Sequence, residues 1–157
     1  VVRMGNISLQ NTKAAMSALY TKDSSKAQEV FDREKIINQL QHGINHYLVK
    51  LSNVNLSEQE HSTITGLFHT VSDIERVGDH ADNIAELAEI LIKEGHEFSE
   101  TAIQELKEIT DATIKCIEMA LQAYEFNDKT IAKKALPIEQ AVDKMEEVRT
   151  WTRMYFT

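Results

Sequence analysis

The sequence predicts an all-α protein, and three observations carry that prediction. Five glycines and the single Pro137 leave little turn chemistry in 157 residues. No segment alternates apolar and polar residues as a half-buried strand does. Apolar residues instead recur three and four apart, the spacing of one helix face. At 42% hydrophobic content, the chain can bury one sizeable core, or two small ones built from the same unit.

Five helices follow in order. The first runs over about residues 4–20, with Ile7, Ala15, Ala18 and Leu19 inward. Asp23 and Ser24 offer caps for a second, over about 25–51, and the pair forms a hairpin. In the second helix Val30, Ile37, Leu40, Ile44, Tyr47 and Leu51 make the inward face, and Glu34 sits between Val30 and Ile37 on that face. After the polar link Ser52-Asn53-Val54-Asn55, Ser57 and Glu60 have capping-box spacing. They open a long third helix to about residue 93, which Gly95 ends. Its inward line is Leu67, Val71, Ile74, Gly78, Ala81, Ala85, Ala88 and Ile92, whose small middle members let a neighbouring helix come close. Ser99 opens a fourth helix with Leu106, Ile114, Ile117, Leu121 and Tyr124 inward. Asn127-Asp128 separates it from a fifth that reaches toward the C-terminus. No linker or low-complexity tract divides residues 1–157, so one helical domain is expected.

An internal repeat organises these helices. Shifted by 105 residues, Ala15-Met16-Ser17-Ala18-Leu19 falls on Ala120-Leu121-Gln122-Ala123-Tyr124, Asp23 on Asp128, Glu34 on Glu139, Ile37 on Val142 and Asn38 on Asp143. The expectation is a three-helix unit used twice, complete over 1–95 and partial over 96–157, the second copy lacking its last helix. The start at Val1 points to a fragment with further chain upstream.

Charge and composition exclude several classes. A formal net charge of -8 argues against a nucleic-acid binder, against docking on anionic lipid and against phosphate as a direct ligand. One cysteine, Cys116, rules out an internal disulfide and a cysteine zinc cage, and fits a reducing compartment such as the cytosol. No run of eighteen apolar residues spans a membrane, and no signal peptide precedes the first helix. No nucleophile–base pair, phosphate-cradling glycine loop or reactive cysteine appears, so the chain reads as no enzyme.

The chemistry lies in the acids. Ile74-Glu75-Arg76-Val77-Gly78-Asp79-His80-Ala81-Asp82-Asn83-Ile84 threads Glu75, Asp79 and Asp82 beside a packing face. Residues four apart share a helix side, so Glu34 with Asn38, Glu75 with Asp79, and Glu139 with Asp143 each present two oxygen-bearing groups to one point. If the second and third helices face each other along these stripes, Glu34, Asn38, Glu75, Asp79 and Asp82 converge. Carboxylates so placed repel one another unless positive charge joins them. Such sites suit hard cations, or iron, manganese or zinc with a histidine nearby, and His80 is the histidine in position. The competing reading is a solvated acidic face or metal-free scaffold, neutralised by Arg33 and Arg76. His42 and His46 read as surface residues and Cys116 as a small core residue. Trp151 and Tyr155 either pack on the bundle or form an interaction patch.

These residues also carry a resemblance. The run from Asp73 to Glu86 resembles the signature helix of the PhoU domain, a regulator of bacterial phosphate uptake, and Glu34-Lys35-Ile36-Ile37-Asn38-Gln39-Leu40 resembles its second helix. The hairpin 24–51, Phe98-Ser99 and Glu139-Gln140-Ala141-Val142-Asp143 most resemble the PhoU region that follows the membrane part of bacterial sodium-dependent phosphate cotransporters, of the type II-related family. The resemblance covers nearly the whole chain to about Arg149. It implies a tandem three-helix-bundle fold with Glu/Asp-x-x-x-Asp motifs that hold multinuclear iron or zinc in some members. Carried over, Glu75 with Asp79 and Glu139 with Asp143 match the motif; Asn38 departs from it, since an amide cannot bridge two cations, and the second site is half built.

The expected function is therefore a regulatory domain on the cytoplasmic side of the membrane, acting on phosphate transport by contact with a transporter domain of the same or a companion chain, or with a signalling partner. Metal occupancy would fix the second helix against the third. Ile138, Val142 and Met145, left uncovered, predict a homodimer that packs these faces together or exchanges helices. The alternative from another class is a carboxylate-bridged di-metal enzyme, disfavoured because no Glu-x-x-His pair stands on the acid stripe.

Overall fold

The computed structural model describes the backbone of residues 1–155 and the side chains of residues 1–145. It is all helical: α1 (Val2–Thr21), α2 (Ser24–Ser52), α3 (Glu58–Glu94), α4 (Glu100–Phe126) and α5 (Lys129–Tyr155). The chain divides into two compact units, Val1–His96 and a second that begins at Glu97.

Local chemistry sets the helix ends. Asp23 caps α2 by accepting from the Ser25 amide at 3.0 Å and the Lys26 amide at 3.4 Å. Ser57 and Glu60 close a reciprocal capping box on α3, the Glu60 carboxylate accepting from the Ser57 amide at 2.8 Å. Gly95 takes φ 70° at the end of α3, a left-handed conformation that costs glycine little. Ser99 caps α4 through the Ala102 amide at 3.2 Å. Asn127 ends α4 at φ 50°, and Asp128 caps α5 through the Thr130 amide at 2.7 Å. Pro137 stands inside α5, where it has no N–H to give to the Lys133 carbonyl.

In the first unit each of α1, α2 and α3 packs on the other two. Met4, Ile37, Val71 and Ile74 form its central cluster, flanked by half-buried Ile7, Leu40 and Ile44. Burying each large aliphatic side chain contributes about 1.5–3 kcal/mol. Gly78, Ala81, Ala85 and Ala88 are all buried along α3. At Gly78 the approach is close: a Cβ there would stand 3.1 Å from Ile37 Cδ1 and 3.3 Å from its Cγ2.

The structure corrects the inward faces at three places. Tyr47, expected inward, is 61% exposed, and Leu48 is buried in its stead. An apolar stripe at spacings of three and four permits either neighbour, and the fold buries the second. On α1 the buried set includes Met4 and three polar residues that the hydrophobic pattern passed over, Ser8, Asn11 and Thr12. Asn11 ties α1 to α2 by donating Nδ2 to the Val30 carbonyl at 3.1 Å, while its Oδ1 and the Ser8 hydroxyl meet no partner among the described residues.

In the second unit α4 packs on α5. Thr110 and Ala135 are the buried residues of this pair among those described. Tyr124, expected inward, is 42% exposed, and Cys116 is half-buried rather than core. The side chains of Trp151 and Tyr155 lie outside the described residues.

Candidate functional site

The acids meet where α2 packs on α3 at Gly78. Gly78 has no side chain, so Ile37 packs directly onto the α3 backbone. Glu34 lies one turn before Ile37, and Glu75, Asp79 and Asp82 flank Gly78 along α3. The close crossing therefore sets the Glu34 carboxyl in the field of the α3 acids. Its pKa is raised, first by burial and then by Asp82, Asp79 and Glu75, while a hydrogen bond from Asn38 pulls the other way. Asp82 is raised as well, by burial and by Glu86 and Asp79. Glu34, Asn38, Glu75 and Asp82 are half-buried, and Asp79 is exposed.

Among the described residues no cation offsets this seam at Glu34 or Asp82. Arg33 pairs with Glu29 at 3.0 Å and Lys35 with Asp32 at 2.8 Å, both within α2 and facing solvent. Arg76 is exposed and makes no ion pair among the described residues. Neutralisation by Arg33 and Arg76, the scaffold reading, is thus not what holds the seam.

The acids share a field without sharing a coordination sphere. Among the described residues no three His, Cys, Asp or Glu side chains stand close enough to hold a metal ion. Bridging iron or zinc needs carboxylate oxygens gathered at about 2.0–2.2 Å from the metal, so as placed the seam does not fit that group. His80 is exposed, as are His42, His46, His61 and His69. Glu139 and Asp143 are exposed on α5. There the nearest electrostatic consequence of Glu139 is on Cys116, whose thiol pKa is raised by burial and then by that charge.

Sequence reasoning missed one feature. A groove between the start of α1 and the middle of α2 is lined by Val2, Arg3, Asn6, Ile7, Gln10, Arg33 and Ile36. Its signal was present in the pairing of the first hairpin, which sets residues near 3–10 beside residues near 33–36.

A family model for the PhoU domain matches residues 1–88, which is α1, α2 and most of α3. The phosphate-specific transport system accessory protein PhoU homolog of Pseudomonas aeruginosa is 28% identical over 145 residues, 92% of this chain and 59% of that protein. Homolog 1 of Thermotoga maritima is 25% identical over 134 residues, 85% of this chain and 57% of that protein. The crystal structure of PhoU from Pseudomonas aeruginosa superposes with a TM-score of 0.84 at 26% identity, covering 98% of this chain and 75% of that one. The chain spans less than two thirds of the length of these curated relatives. Among the described residues no helix is long and apolar enough to cross a membrane.

Proposed function

The chain belongs to the PhoU domain family, and from that membership we propose that it regulates phosphate transport by binding protein partners rather than by catalysis. The observation that carries this reading is the family match over the complete three-helix unit, joined to relatives named as accessory proteins of a phosphate-specific transport system. The partner in this reading is a transporter or its signalling companion, met on the cytoplasmic side of the membrane.

The unit's architecture supports a contact-based role. α2 and α3 are locked together at Gly78, yet beside that lock the acids of the seam repel each other. Charge that neutralises the seam, such as a basic side chain from a partner, would tighten α2 on α3. A change at the seam then reaches the outer faces of both helices. No step of this mechanism runs through a metal, because the carboxylates do not assemble a site as placed. The iron or zinc implied for Glu34, Asn38, Glu75, Asp79 and Asp82, and for Glu139 and Asp143, is tested by metal content of protein purified without chelator. Stoichiometric metal lost in Glu75→Gln with Asp79→Asn would install it; metal-free, folded protein would remove it.

Self-association through α4 and α5 is part of the same proposal. Tyr124, Phe126 and Leu136 are 42%, 69% and 56% exposed there. Covering such side chains contributes several kcal/mol at about 25 cal/mol per Å². Sedimentation is expected to show a dimer, and a strict monomer would contradict it.

The finer reading, that the chain is the PhoU-like region of a sodium-dependent phosphate cotransporter, rests on its hairpin, Phe98-Ser99 and Glu139–Asp143 sequences. Detection of this sequence in a larger membrane-pelleted polypeptide would support it. Detection only in a polypeptide that stays in the supernatant would favour a separate accessory protein. The regulatory reading itself is tested by deleting and restoring the gene in its own cells and measuring phosphate uptake.

A further inference from the structure

The groove between α1 and α2 inverts the charge of the molecule. The chain carries 25 acids against 17 lysines and arginines, but the groove is lined by Arg3 and Arg33, with Asn6 and Gln10, and by no acid. Val2, Ile7 and Ile36 supply its apolar part, and Ile36 is 42% exposed on a surface helix. Arg3 has no ion pair among the described residues. Arg33 is held by Glu29 at 3.0 Å, in a pair whose members are 35% and 59% exposed. Pairs of this kind exchange readily, being worth little in solvent.

We propose that this groove docks an acidic amphipathic helix of a protein partner, with apolar side chains over Val2, Ile7 and Ile36 and carboxylates reaching Arg3 and Arg33. Shape and chemistry both favour a helix over a free anion. The groove is an open surface depression of about 720 Å³, many times what one inorganic phosphate fills. It follows α1 from Val2 to Gln10, about 12 Å of axis or a little over two turns. A helix laid along two others presents anchors at three- and four-residue spacing to just such a floor. One arginine stands on each bordering helix, and a guanidinium takes a carboxylate through two parallel N–H donors. The overall charge of -8 opposes an acidic partner at long range, but at physiological salt that repulsion fades beyond about 8 Å. Contact chemistry then decides.

The proposal names the surface for the partner contact proposed above and so rests on that reading, although its test needs no transporter. The full chain, isotopically labelled, is titrated with a synthetic acidic peptide of about three helical turns carrying leucines at helical spacing, with its lysine-for-glutamate counterpart, and with inorganic phosphate. The expected result is amide shifts centred on Ile7, Gln10 and Ile36 with the acidic peptide. Affinity should fall about tenfold when Arg3→Glu and Arg33→Glu are combined, the loss of two exposed ion pairs. Equal binding of acidic and basic peptides, or shifts centred elsewhere, would overturn the proposal. So would phosphate alone reproducing the shifts and displacing the peptide, which would make the groove a small-anion site. Because the variants are judged against shifts in the unaltered chain, a folding defect in them does not rescue the idea. Peptide failure leaves the uptake test standing, and uptake failure leaves the groove result standing.

Discussion

Gly78→Ala adds one methyl group where α2 packs against α3. In a helix interior alanine is favoured over glycine by about 0.8–1 kcal/mol, so a loosely packed site would gain that amount. At residue 78 the new carbon would stand 3.1 Å from Ile37 Cδ1 and 3.3 Å from Ile37 Cγ2. Both lie inside the roughly 3.5–4.0 Å optimum for carbon contacts. Ile37 is fully buried, its branched Cγ2 cannot swing away, and overpacking of this kind costs about 1–3 kcal/mol. The expected balance is a net loss of about 1 kcal/mol. Gly66→Ala is the internal control: it lies in the same helix, with nothing within 4 Å of a new Cβ, and should gain up to about 1 kcal/mol. The two substitutions should therefore differ by about 2 kcal/mol. Because the chain has two compact units, whole-chain denaturation mixes two transitions, and amide exchange at Val71, Ala81 and Ala85 reads the first unit alone. Ile37→Val removes the nearer contact and should shrink the penalty of Gly78→Ala. Equal effects of the two glycine substitutions would refute the close crossing, and with it the reason Glu34 lies among the α3 acids.

Further expectations can be checked by the same exchange assay. Ser8→Ala deletes a buried hydroxyl without a partner and should stabilise the first unit by about 0.5–1 kcal/mol, a clear loss counting against the described packing. Leu48→Ala should cost about 2–5 kcal/mol, whereas Tyr47→Ala should stay within about 0.5 kcal/mol, since Leu48 is buried and Tyr47 is 61% exposed. Glu34 and Asp82 have pKa values raised above 4.5 and 3.8 in the folded state. The native protein therefore takes up protons before the unfolded chain does, and stability should rise as pH falls from neutrality through those raised values. Asp23, Asp32 and Glu60 are lowered by their hydrogen bonds, and their stabilisation is lost as pH falls further through the usual carboxylate range. Glu34→Gln should stabilise the unit at pH 7 by less than about 1 kcal/mol and flatten the acid-side rise; an unchanged pH profile would show that the seam carries no strain.

What the sequence revealed follows the range of the interactions involved. Helix ends were legible because their signals are local: Asp23, the Ser57 and Glu60 pair, Gly95, Ser99 and the Asn127–Asp128 junction each act within a few residues. The small-residue line of α3 was legible for a similar reason, since Gly78, Ala81, Ala85 and Ala88 can hardly serve except at a close approach. Phase at the end of α2 was not, because choosing Leu48 over Tyr47 depends on the neighbouring helix. Ser8, Asn11 and Thr12 were hidden by their polarity, although they continue the spacing of Met4 and Ala15. At the seam, spacing could place Glu34, Glu75, Asp79 and Asp82 on facing stripes. It could not say that Arg33 turns to Glu29 instead, or that the carboxylates stop short of a coordination sphere. The α1–α2 groove arises from two helices at once, and no single-helix pattern announces it.

As proposed, this PhoU-family chain regulates phosphate transport by protein contact. The most direct test is radiolabelled phosphate uptake in the cells that carry it, with the gene deleted, restored, and restored as Arg3→Glu with Arg33→Glu. Deletion should change uptake and the unaltered gene should return it to the original rate, while the double variant, equally abundant and folded, should fall short. Uptake indifferent to deletion in cells shown to express the folded chain would contradict a regulatory role.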